Sequence, residues 1–166
     1  MKILVICLLL SFTSLINAQE KQNDASIEET INWINEYGFP KSFARKWVDD
    51  PKLVNLKYNK KDNSLSYDLF WDNSDKHPHT TFIIKNNEHP LSMKIRFNQE
   101  DEMYYIYIGG QTYLKDGVIF SKVGRNRIDS KNKEHIKSLA KAFEHLFYLT
   151  KIKVEIINKL SDKNKF

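Results

Sequence analysis

His77 and His79 flank Pro78, with Asp72 and Asp75 just upstream, and form a cluster of metal-ligand types. Two imidazoles two residues apart on an extended segment project to the same side, and a carboxylate would complete a three-ligand zinc or copper site. No HExxH or second spaced ligand set accompanies them, and the surrounding residues are rich in Asn and Asp. The pattern therefore predicts a solvated polar loop and no resident metal, with His77 and His79 as the candidates if one binds. His89 precedes Pro90 in another turn-like segment and adds nothing to this set. Glu134-His135 and Glu144-His145 offer acid/base types, but neighbours on a helix point in different directions, so neither pair converges. Serines, histidines and aspartates are plentiful, yet no GxSxG elbow, glycine-rich phosphate loop or dinucleotide fingerprint is present. The expectation is no cofactor and no catalytic residue, so the enzyme question leans towards no.

Recognition chemistry is better represented. Lys122, Arg125 and Arg127, followed by Lys131 and Lys133, are the densest basic stretch. If Gly124 bends the chain, Lys122, Arg125 and Arg127 converge on a phosphate, sulfate or carboxylate. Tyr104, Tyr105 and Tyr107, with Tyr113 and Phe120, supply aromatic surface; strand alternation puts Tyr105 and Tyr107 on one face and Tyr104 on the other, so part of the set belongs to the core. The chain of 166 residues carries 26 basic and 21 acidic side chains, net +5. From Lys122 onward there are twelve basic and five acidic residues, so the positive charge is concentrated in the last third.

The elements that must position these groups follow from periodicity. Ser26 and Glu29 make a capping-box pattern ahead of Ile27, Ile31 and Ile34, with Trp33 and Tyr37 alongside, which predicts a helix over 27–37 stopped by Gly38 and Pro40. Residues 42–48, with Phe43, Ala44 and Trp47, predict a further short helical turn. After Pro51 the period becomes two. Val54, Leu56 and Tyr58 alternate, residues 60–63 read as a turn, and Leu65, Tyr67, Leu69 and Trp71 alternate again, giving a hairpin. Residues 80–84 form a third strand, and Leu91, Met93, Ile95 and Phe97 a fourth whose other face holds Ser92, Lys94 and Arg96. Residues 103–108 follow, ended by a turn at Gly109-Gly110. A hairpin about Lys115-Asp116-Gly117 joins 112–114 to 118–123, and Arg127-Ile128 closes the sheet as a short edge strand. Ile136, Leu139, Ala140, Phe143, Leu146, Phe147 and Thr150 then mark an amphipathic helix capped by Ser130; Val154 and Ile157 continue its stripe to about Leu160.

The fold class so predicted is α+β: an N-terminal helix, about seven antiparallel strands in a bent sheet or partly open barrel, and a long C-terminal helix packed on it. In element order and length this resembles the pleckstrin-homology-like architecture. Glu29 to Asn35 (ETINWIN) and Ala140 to Leu146 (AKAFEHL) are also similar to small exported proteins of Bacteroidetes-type bacteria whose function is uncharacterised. That resemblance implies a fold and no activity.

The N-terminus gives an address. Met1-Lys2, the apolar run 3–10 and a polar approach to Ala18 follow the order of a secretory signal peptide, with cleavage expected after Ala18. The sole cysteine, Cys7, lies inside that run, so an exported chain would hold no disulfide, Cys-ligated metal or thiol nucleophile. The organisation read from sequence is a signal peptide at 1–18, a flexible segment at 19–25, one globular domain at 26–160 and a polar tail at 161–166. No other apolar run reaches the ~20 residues of a spanning helix, so the mature chain is expected to have no transmembrane segment. The functional expectation is an exported, periplasmic or secreted, non-enzymatic binding module. Its partner would be a protein or a small anionic ligand, and not a nucleic acid. The alternatives are a lipocalin-like carrier of a small apolar ligand, or a metal-dependent enzyme using the His77/His79 loop.

Overall fold

The computed structural model describes residues 24–44, 52–70, 80–86, 91–100, 102–114 and 119–158. The expected signal peptide, the His77/His79 loop, His89, Trp47, Trp71, the Lys115–Gly117 turn and the polar tail lie outside them, as do the side chains of Tyr113, Phe120, Lys122 and Arg125. Among the described residues no helix is long and apolar enough to cross a membrane.

The chain opens with helix α1 (Ile27–Trp33), which continues as a π turn (Ile34–Gly38) and a 3-10 turn (Phe39–Lys41). Its capping box is complete: the Glu29 amide donates to Ser26 Oγ at 3.2 Å, and the Ser26 amide donates to Glu29 Oε2 at 2.7 Å. These bonds hold the Glu29 carboxyl below its ordinary pKa. The strands are β1 (Phe43–Ala44), β2 (Lys52–Asn59), β3 (Ser64–Phe70), β4 (Thr80–Lys85), β5 (Leu91–Asn98), β6 (Met103–Leu114), β7 (Ile119–Ser130) and β8 (Val154–Asn158), with helix α2 (Lys133–Thr150) between the last two. Among the described residues all eight strands form one sheet, so the α+β class with an N-terminal and a C-terminal helix stands. The expected helical turn at 42–48 is replaced, where described, by β1, which pairs with β7 at Asp129 and Ile128.

Strand β6 organises the sheet. One of its edges pairs along its length with β7; the other is shared, Met103 to Ile108 taking β5 and Gln111 to Leu114 taking β4. Gly109 and Gly110, expected to end a strand, sit inside it where the partner changes. A Cβ on Gly110 would stand 2.6 Å from the Ile83 carbonyl oxygen and 2.8 Å from the Phe82 ring. Only a residue without that atom lets β4 and β5 both reach β6. Bulges fall at the same place in the β6/β7 ladder, and Arg127-Ile128 belongs to the long β7 rather than to a separate edge strand.

Two further departures have local causes. In β2, Asn55 and Leu56 together stand opposite Tyr67, a bulge whose first residue has φ 59°. Leu53 and Leu56 thereby both face the core, where simple alternation had predicted Val54 with Leu56. After Thr150 the helix stops: Lys151 adopts φ 58°, and the Asn86 side chain accepts from the Lys153 amide at 2.7 Å. Val154, Ile156 and Ile157 then run parallel to β5 as β8, instead of extending α2 to Leu160. The apolar positions suit either period, and β-branched residues favour the strand. Asn132, not Ser130, caps α2, its Oδ1 accepting from the His135 amide at 3.0 Å.

Both helices cover the inner face. Ile136, Leu139, Ala140, Phe143, Leu146 and Phe147 of α2 pack with Ile34 and Phe39 against Leu65, Tyr67, Phe82, Met93, Ile106, Ile108 and Ile128. Gly110→Ala is expected to lower stability by about 1–3 kcal/mol, the usual range for overpacking, read as a fall in the urea midpoint at unchanged slope.

Candidate functional site

The outer face of the sheet opposes the core, and alternation decides what it carries. Lys94 pairs with Tyr107 and Arg96 with Tyr105 between β5 and β6; Tyr107 pairs with Arg127 and Tyr105 with Asp129 between β6 and β7. These are the residues between Met93, Ile95, Ile106, Ile108 and Ile128, all buried inward, so the six side chains share one face. The Tyr105 and Tyr107 rings meet edge to face at 5.0 Å. The Arg127 guanidinium lies 4.4 Å from the Tyr105 ring centre and donates through Nε to Asp129 Oδ1 at 2.6 Å. Burial works against its charge, but the bond and field of Asp129, aided by Tyr107 and Tyr105, outweigh that and raise the pKa above the ordinary arginine value. Asp129 is fully buried, so this is an internal ion pair with a stacked ring.

The predicted anion set is therefore only partly described. Arg127 faces outward, but Asp129 neutralises it. Arg125 stands opposite Gly109 in the register, two residues along β7 from Arg127. Lys94 and Arg96, which sequence reading noted only as facing away from Met93, flank the tyrosines with ordinary surface exposure: Lys94 is half-buried and Arg96 exposed. Their Cα atoms are about 7 Å apart, two residues along a strand. Glu155 of β8, opposite Ser92, bounds the face at its far end. Among the described side chains the arrangement presents two cationic groups and two phenols around a neutralised ion pair. It can take anionic oxygens by hydrogen bonding and charge. It is a poor base-stacking surface, because Arg127 covers one face of Tyr105 and Tyr107 meets that ring edge to face.

The histidines resolve differently from their sequence neighbours. Glu134 pairs with Lys137 at 2.9 Å and not with His135. His135 Nε2 instead lies 2.9 Å from Ser42 Oγ and 3.0 Å from the Gly38 carbonyl oxygen, to which Ser42 Oγ also donates at 2.9 Å. A carbonyl oxygen only accepts, so Nε2 carries the proton and cannot take one from Ser42. The pair is a clasp between the start of α2 and the end of the α1 segment, and not a serine nucleophile with its base. Since the two are 93 positions apart, nothing local in sequence announces it. His145 forms a second tie, its Nε2 bonding the Ala25 carbonyl oxygen at 2.6 Å and anchoring the chain just before α1.

Two open clefts flank these ties. One of about 560 Å³ lies beside Ser42, between Asn35, Phe39, Pro40 and the β2 residues Lys52, Leu53, Val54 and Asn55. The other, of about 600 Å³, lies between α1 and α2. Among the described residues no three His, Cys, Asp or Glu side chains are gathered as a metal site would need. Compared with family models, with curated proteins and with solved structures, the chain matches none.

Burial, with the field of Lys41, holds the His135 imidazole below its ordinary pKa of 6.5 against the opposing effect of the Gly38 bond. The unfolded chain thus takes up a proton near pH 6.5 while the folded chain resists it, so this contribution is complete above that pH and is lost as pH falls below it. Thermal midpoints should drop from pH 7.5 to 5.5. His135→Gln, which keeps a donor for Gly38, should flatten that part of the profile.

Proposed function

We propose that this chain is an exported, non-enzymatic binding module that takes a small anionic ligand on the outer face of β5, β6 and β7. The observation that carries the reading is the placement of Lys94 and Arg96 beside Tyr105 and Tyr107 on a face whose one buried charge, Asp129, is already matched by Arg127. A ligand there meets net positive charge without having to displace an internal pair. Two anionic groups separated by about 7 Å would engage both cations at once, with the phenol hydroxyls as further donors. Export is the reading of residues 1–18: a charged start, an apolar run and a small residue at the expected cleavage point.

The inner face supports placing the ligand outside. Phe39, Phe143 and Phe147 occupy the concave side of the sheet, where a lipocalin-like carrier would hold its cargo. The non-enzymatic reading rests on other side chains: His135, Glu134 and His145 of α2 are engaged in a clasp, a surface ion pair and a backbone tie.

A heparin tetrasaccharide carries several sulfates and carboxylates and serves as the probe. Titrated calorimetrically at about 20 mM salt, where screening is weak, it should bind the chain without its first 18 residues. Lys94→Ala/Arg96→Ala should weaken that binding at least tenfold and reduce its salt dependence. Absence of binding, or equal affinity in the double variant, overturns the proposal.

A further inference from the structure

The cleft between α1 and α2 has a different chemistry from the sheet face and is independent of it. Its lining comprises Asp24, Ala25, Glu29, Thr30 and Trp33 from the α1 side, and Ser138, Lys141 and Ala142 from α2. At about 600 Å³ it falls within the ordinary range of small-ligand sites. Trp33 is 37 % exposed, although an indole is among the side chains that gain most from burial. Tyr37, one turn further on, is 53 % exposed, so the apolar stripe of α1 continues onto its open side.

Among the described residues the side chains of Asp24, Ser138 and Lys141 and the indole N–H of Trp33 make no hydrogen bond or ion pair. Glu29 uses Oε2 on the Ser26 amide and keeps its other oxygen, while Thr30 gives its hydroxyl to the Ser26 carbonyl at 2.8 Å. The cleft thus brings together acceptors (Asp24, Glu29), donors (Lys141, the indole N–H) and a hydroxyl that is both (Ser138) around one aromatic plate. An anion entering would face two carboxylates, and a cation would face Lys141. A neutral polyhydroxylated ring suits both kinds of group, since each hydroxyl donates to a carboxylate and accepts from an ammonium or N–H. The C–H face of a pyranose, slightly positive, matches the negative face of the indole quadrupole.

We infer that the α1/α2 cleft is a second ligand site, taking a neutral saccharide with one ring against Trp33 and its hydroxyls shared between Asp24, Ser138 and Lys141. The volume of the cleft and its openness to solvent suit a chain end or a short oligosaccharide. The sheet face would then recognise charge, and this cleft the sugar ring itself.

Saturation-transfer NMR with maltotriose, cellotriose, xylotriose and diacetylchitobiose, each at millimolar concentration, tests this on the chain without its first 18 residues. At least one sugar should receive saturation. Trp33→Ala should weaken its binding tenfold or more and Asp24→Asn severalfold, while Trp33→Phe, which keeps a plate, should retain part of it. Lys94→Ala/Arg96→Ala should leave it unchanged. Since Trp33 and Asp24 are at the surface, unchanged thermal midpoints separate loss of ligand from loss of fold. No transfer to any of the four sugars, binding that survives Trp33→Ala, or an equal loss in the sheet-face variant overturns the assignment.

Discussion

A chain of aromatic rings runs through the interior from helix to sheet. Phe147 stacks near Phe143 at 6.1 Å, Phe143 meets Phe39 at 6.3 Å, Phe39 meets Tyr67 at 5.3 Å, and Tyr67 meets Phe82 at 5.4 Å. The one polar atom these rings carry is the Tyr67 hydroxyl, which accepts from Asn126 Nδ2 at 2.9 Å. Burial pushes the Tyr67 phenol far above its ordinary pKa, so it stays neutral, and the Asn126 bond engages its oxygen as an acceptor. Tyr67 lies on β3 and Asn126 on β7, with β4 and β6 between them. Three inter-strand steps would separate them by about 14 Å in a flat sheet. Their side chains meet because the sheet curls around the rings. The bulge at Asn55, the partner change at Gly110 and the bulges in β7 are where the backbone yields to that curvature.

Once the sheet is curled, the helices and the last strand must be held to a surface whose backbone groups are not all in ladders. Side-chain amides and imidazoles do this. Asn35 both donates to the Leu56 carbonyl at 3.0 Å and accepts from its amide at 2.8 Å, standing in for a missing strand at the β2 bulge. Asn86 holds the turn into β8 in the same two-handed way, through Lys151 and Lys153. His135 with Ser42 ties α2 to the end of the α1 segment, and His145 ties it to the residue before the cap. Each satisfies backbone groups that would otherwise lose water without replacement. The π turn at Ile34–Gly38 belongs to this system, placing Asn35 on β2 while Gly38 lies against Leu139.

Legibility in the sequence divided along the same line. Elements whose burial follows one unbroken period were readable: the stripe of α2 from Ile136 to Thr150, the inward row Leu91, Met93, Ile95, and the facing of Tyr105 and Tyr107 away from Ile106. Where a tertiary demand interrupts the period, the reading failed. Asn55 inserts a residue that moves the core position from Val54 to Leu53. Gly109-Gly110 has the look of a turn but serves a close strand approach. Val154 and Ile157 fit a helical stripe until Lys151 takes a left-handed conformation. On the functional side, the local pattern showed a dense basic run of Lys122, Arg125 and Arg127, followed by Lys131 and Lys133. The pairing of Arg127 with Asp129, two residues on along the same strand, could have been anticipated from alternation alone, since both point to one face. The joining of Ser42 to His135 could not, because only the packed fold brings them together.

That pairing changes how positive charge is to be read in such a chain. A basic residue count measures what a surface could attract, but each guanidinium matched by a buried carboxylate drops out of the count while still shaping its neighbours. Here Arg127 and Asp129 support the tyrosine pair, and among the described side chains of that face the outward positive charge is that of Lys94 and Arg96, residues that belong to the less basic part of the sequence. Which side chains this face presents is thus set by register between β5, β6 and β7. Burial fixes that register, since a shift of one residue in β6 would turn the tyrosines inward and Ile106 and Ile108 out to water. The inward burial that packs the core therefore also decides which side chains the outer face offers.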